Sequence, residues 1–210
     1  MVKSCPPRRP AMLTPAKAES IVGDENPATS SGLAHSSAWA LMGVGDEDFD
    51  REATLRLRAL VRDRGVDQVA HLWSRSPEFT LPGALWRLYL LLEWYEREPG
   101  LVDERYVDGA HADIVPGLEH PLNLPDLADV MADVARLLTG ELTDDDLEEV
   151  IWDASNAMRV LAAGFGGGGS WITDPNDPLA YPVSTRAKAL LKTAEELSVS
   201  AREAHIGALE

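Results

Sequence analysis

The chain has 210 residues, 45% of them hydrophobic and 26% charged, which suits one domain, or one domain with a tail, around a real core. Its formal net charge of −16 favours solubility and repels phosphate backbones, which argues against nucleic-acid binding by the surface as a whole. A lone cysteine, Cys5, has no intrachain disulfide partner, and no run approaches the roughly 18 apolar residues of a membrane span. The expectation is a cytoplasmic protein with no secretion signal and no membrane partner.

The charge is unevenly spread. Residues 1–50 carry a net −3, residues 51–98 a net +1 and residues 99–210 a net −14, and all eight basic residues of the middle segment are arginines.

Residues 1–45 are rich in Pro, Ser, Ala and Gly without sustained periodicity, and are expected to be a disordered tail before a single helical domain over 46–210. From Asp46 the pattern turns helical. Asp48 or Asp50 can cap a helix with Leu57, Leu60 and Val61 inward and Gly65 as its stop. A short helix from Val66 to about Ser74 turns Val69 and Leu72 inward. Thr80 then caps a longer one that runs to about Arg97, where Pro99 and Gly100 break it. A weaker helical segment over 101–110 leads into the proline-punctuated connector IVPGLEHPLNLP.

Three further helices are clear. The first opens at Asn123 or Leu124, carries a stripe of Leu127, Val130, Met131, Val134, Leu137 and Leu138, and stops at Gly140. Thr143 caps the second, with Asp144, Asp145 and Asp146 at the positive end of its macrodipole and Leu147, Ile151, Ala154, Met158 and Leu161 as its core stripe. Ser184 caps the last, where Ala187, Leu190, Ala194, Leu197, Ala201 and Ala204 form a small-residue seam for a close neighbour. No strand-like alternation or repeat is present. The fold class is all-α, a bundle of six or seven helices.

Two surfaces carry more aromatic side chains than one core stripe explains. The helix LPGALWRLYLLLEWYERE has one apolar face of leucines, and on the other side a ridge of Trp86, Leu90 and Trp94. A helix apolar nearly all round is expected to be buried between two layers; otherwise the ridge lines an oligomer interface or a ligand pocket. Trp152 lies on the far side of its helix from Leu147, Ile151 and Met158, near Arg159, so it must be covered or exposed. The loop over 164–183, with Trp171, can cover it, or a partner chain can.

The stretch GFGGGGSWITDPNDP contains a literal G-x-G-x-x-G at Gly164, Gly166 and Gly169. A dinucleotide fingerprint needs a strand before it and a helix opening at its end, and here a helix precedes and two prolines follow. A helix stop at Gly164 in the left-handed region, feeding a flexible exit, explains the glycines better. The cluster His111, Asp113, Glu119 and His120 lacks the spacing that aims metal ligands from one helix face, and Glu149, Asp153 and Asn156 read as solvated helix residues. No catalytic residue, metal site or cofactor is expected.

The first three helices, with their arginines, resemble in architecture and length the helix-turn-helix that opens a TetR-like transcriptional regulator. That resemblance implies Arg58 and Arg62 as DNA contacts, within about 50–98. The favoured expectation is a non-enzymatic bacterial protein that acts by contact with itself or another protein, through faces bearing Trp86, Leu90, Trp94, Trp152, Arg159 and Trp171. A TetR-like regulator ranks second. A helical ligand binder or enzyme with a pocket at Trp86 and Trp94 ranks third.

Overall fold

The computed structural model describes residues 27–47, 49–119, 121–165 and 187–210. Among these the chain is all-helical, as the periodicity requires. The elements are α1 (Pro27–Met42), α2 (Arg51–Arg64), α3 (Asp67–Trp73), α4 (Leu81–Arg97), α5 (Pro99–Ala110), α6 (Leu127–Leu138), a 3-10 turn (Asp144–Asp146), α7 (Leu147–Ala163) and α8 (Ala187–His205). Among the described residues eight α-helices thus stand where six or seven are expected, the main addition being α1.

Helix ends follow local chemistry. The Asp50 carboxylate accepts from the Ala53 N–H at 2.8 Å to cap α2, and Gly65 ends it at φ 86°. Thr80 caps α4 by accepting from the Gly83 N–H at 3.2 Å. Thr143 and Asp146 form a reciprocal capping box before α7. Helix α6 starts later than Asn123 or Leu124 suggests, because the Asp126 carboxylate, which accepts from the Ala128 N–H at 2.8 Å, is the better cap. Asp48 and Ser184 lie outside the described residues.

Helix α4 is the centre of the fold. It touches α1, α3, α5, α6, α7 and α8, and ten of its seventeen residues are buried. Helices α7 and α8 make the most extensive pairing, with Leu190, Ala194, Leu197 and Ala201 of the small-residue seam buried. The Ser155 hydroxyl donates to the Ala194 carbonyl across that seam at 2.7 Å. Leu60, expected inward on α2, is exposed, since the inward face there is made by Thr54, Leu57 and Val61.

The expected tail over 1–45 needs a correction from residue 27 onward. Helix α1 packs against α2, α3 and α4, with Ala34, Ala38, Ala40, Leu41 and Met42 buried. Its small residues defeat a reading based on large apolar side chains, because an alanine-rich helix can bury itself by close approach with little hydrophobic contrast between faces. The tie is also polar. The Ser37 hydroxyl accepts from the Trp73 indole N–H at 3.1 Å and donates to the Ala34 carbonyl at 3.0 Å, and Trp73 is fully buried.

Two glycines bring α5 and α7 into backbone contact. A Cβ on Gly109 would collide with the Val160 carbonyl, and one on Gly164 with the Arg105 carbonyl. Gly164 ends α7 as expected but not in the left-handed region: its φ is −73°. Space against α5, rather than backbone handedness, demands a glycine there.

Ser37→Ala leaves the buried Trp73 N–H without its acceptor, so unfolding in urea should show a loss of about 1–3 kcal/mol. An unchanged midpoint would show that the hydroxyl contributes nothing to seating α1.

Candidate functional site

The α4 ridge turns out to be largely core. Leu90 and Trp94 are buried, and Trp86 is half-buried and stacked on Tyr89 at 5.4 Å between ring centroids. The Tyr89 hydroxyl donates to Asp67 at 2.7 Å; burial and this carboxylate push the phenol well above its usual range. Neither a groove of about 240 Å³ between α6 and α7 nor a cavity of about 400 Å³ in front of α2 is lined by Trp86 or Trp94.

Arg58 and Arg62 converge on one backbone group. Arg58 donates through Nε at 3.1 Å and through Nη2 to the Gly140 carbonyl, and Arg62 Nη2 reaches the same oxygen at 3.3 Å. Both guanidinium groups thereby strap α2 to the turn after α6. Helix α4, which a helix-turn-helix would have to lay in a groove, packs against six other helices with ten of its seventeen residues buried.

What remains open is the outward stripe of α7. Glu148, Trp152, Asn156 and Arg159 recur at steps of three and four, on the side away from Leu147, Ile151, Ala154 and Met158. Trp152 is 42% exposed, whereas Trp73 and Trp94 are fully buried. The stripe is fixed at both ends. Glu148 pairs with His205 at the end of α8 at 2.8 Å, and Arg159 donates to the Pro116 carbonyl at 3.1 Å. Arg159 also fills the space beside Gly117, whose φ of 82° disfavours any residue with a side chain. Trp152 is therefore presented from a rigid helix between two tethers. Trp171 lies outside the described residues.

Beside Trp152 lies the α6–α7 groove. Its apolar lining is Pro125, Val130, Leu142 and Val150, and its polar lining is Asp129, Asp133, Arg136, Asp146, Glu149 and Asp153. Arg136 is taken up by Asp133 at 2.8 Å and Glu141 at 3.8 Å. Partial burial, then Glu149 and Asp133, raise the Asp153 carboxyl above the ordinary carboxylate value. Nearby, the Tyr106 hydroxyl donates to the Pro125 carbonyl at 2.9 Å, and burial with Asp126 and Asp153 pushes it up to about 12. Among the described residues no group of three His, Cys, Asp or Glu side chains stands ready to hold a metal ion. None of their helices is long and apolar enough to cross a membrane.

Comparison with protein-family models, with curated proteins and with solved structures finds no match to this chain.

Two buried arginines escape a reading by periodicity, because each sits where a helix pattern marks only a polar residue. Arg87 bonds Glu196 of α8 at 2.8 Å and the Gly83 carbonyl at 2.9 Å. Arg105 lies 3.9 Å over the Phe165 ring and 5.8 Å from that of Trp94. No spacing in the sequence could have paired residues 87 and 196.

The raised Asp153 carboxyl has a definite consequence for stability. A carboxyl that holds its proton more tightly in the folded chain destabilises the fold once ionised, and the penalty fades as pH falls through the folded value towards the unfolded one. Asp153→Asn should therefore raise the thermal midpoint near pH 7, with the gain vanishing near pH 3. A gain that persists at low pH, or a loss at neutral pH, would contradict the crowding of Asp153 by Glu149 and Asp133.

Proposed function

We propose that the protein acts by contact with itself or another protein through the outward stripe of α7, and that it is not an enzyme. One observation carries this reading: Trp152 is 42% exposed on a helix whose opposite side is core, while Trp73 and Trp94 are buried. An exposed indole held on a rigid support loses little conformational entropy when covered, and tryptophan and arginine dominate the energetics of protein contacts. A cytoplasmic site of action is part of the proposal, resting on the single cysteine.

The regulator reading draws less support, because Arg58 and Arg62 are engaged by Gly140 and α4 is buried. The pocket reading loses ground with the burial of Leu90 and Trp94.

Light scattering after size exclusion tests the proposal on the full chain. At high concentration the wild type should approach twice the monomer mass, while Trp152→Glu stays monomeric with an unchanged melting temperature. A strictly monomeric wild type removes the self-contact version. A Trp152→Glu chain that unfolds would make Trp152 a structural cover and remove the contact reading altogether.

A further inference from the structure

Two arginines of the described chain are buried, and they differ in one respect. Arg87, 7% exposed, has the Glu196 carboxylate and a backbone carbonyl as acceptors. Arg105, 8% exposed, has none among the described residues: its Nη1 is buried without a hydrogen-bond partner, and its ring contacts there are the faces of Phe165 and Trp94. Aromatic faces offset part of a cation's charge but supply no acceptor lone pairs to its five N–H donors. Among the described residues, the carboxylate whose field acts on Arg105 is Glu104, its exposed neighbour in sequence. The carbonyl end of α7 lies close and contributes a diffuse negative field, yet places no oxygen within bonding distance. A buried guanidinium left in this state is costly, and an absent ion is one of the few physical reasons for a fold to keep it.

We propose that Arg105 anchors a site for a small oxyanion at the junction of α4, α5 and α7, closed by the ring of Phe165. The guanidinium fork matches a carboxylate or phosphate edge through two parallel N–H···O bonds, which is the chemistry its donors lack here. Phe165 is placed to act as the cover. It follows Gly164, beyond the last residue of α7, and its N–H reaches the Ala162 carbonyl at 3.4 Å, so its ring can turn aside without unwinding the helix. Trp94, fully buried on α4, forms the fixed wall. The site is independent of the Trp152 surface.

The test is thermal unfolding and calorimetric titration of the full chain with sodium phosphate and, separately, sodium succinate, at constant ionic strength against sodium chloride. The wild type should gain several degrees with one of the two oxyanions, and the responding salt identifies the source of the group. Phe165→Ala should bind the same oxyanion several-fold more tightly. Arg105→Lys, which keeps the charge but loses the fork, should bind at least tenfold more weakly, and Arg105→Met should not bind. Without oxyanion, Arg105→Met should melt at or above the wild-type temperature, because it removes a charge that has no acceptor.

No response from either wild type or Phe165→Ala at tens of millimolar would overturn the site. So would an equal response from Arg105→Met, which would reduce the effect to screening of the −16 net charge. A loss of stability in Arg105→Met without oxyanion would show that the chain itself compensates the charge, and would also overturn it.

Discussion

Where α5 crosses α7, the backbone of Gly109 lies against the Val160 carbonyl and that of Gly164 against the Arg105 carbonyl, with no room for a Cβ at either glycine. Much of the arrangement depends on this contact. Because α7 can approach α5 only with this edge, its rotation about its own axis is set. Ile151, Ala154 and Met158 then turn to the core, Ser155 meets the Ala194 carbonyl of α8, and Trp152 is left facing outward. The same crossing carries Phe165 over the Arg105 guanidinium. The open tryptophan and the arginine without acceptors are two consequences of one backbone approach.

Three of the eight arginines in the middle of the chain serve as internal straps. Arg58 and Arg62 hold the turn after α6, and Arg87 reaches Glu196 inside the fold. Burying an ion pair brings little net stability, whereas removing one partner leaves a costly charge behind, so Arg87 and Glu196 specify how α8 seats on α4 more than they strengthen it. Arg105 departs from this pattern, which is why its surroundings suggest a ligand rather than a strut.

Much of this architecture was legible in the sequence. The apolar stripes of α6 and α7, the caps at Asp50, Thr80 and Thr143, and the inward seam of α8 follow from periodicity and local hydrogen bonding. The outward position of Trp152 followed too, since a helix of known phase leaves no choice about which residues oppose the core. Helix α1 was not legible, because its buried residues are mostly Ala and Ser, whose contribution comes from close approach and one hydroxyl rather than from hydrophobic contrast. Nor were the roles of Gly109, Gly164 and Arg105, which depend on contacts between residues 51 to 60 apart in the chain. Gly164 in particular reads as a left-handed cap, and only the proximity of α5 reveals that it is a spacer.

The most direct test of the crossing compares two glycines on one helix. Gly100, at the start of α5, has open space where a Cβ would go, while Gly109, near its end, has the Val160 carbonyl. In equilibrium urea unfolding, Gly100→Ala should stabilise the chain by about 0.5–1 kcal/mol through the ordinary helix preference for alanine. Gly109→Ala should destabilise it by about 1–3 kcal/mol or more as the two backbones are forced apart. Stabilisation of similar size in both variants would show that α5 and α7 do not meet at Gly109, and the crossing would lose its part in setting how α7 is seated.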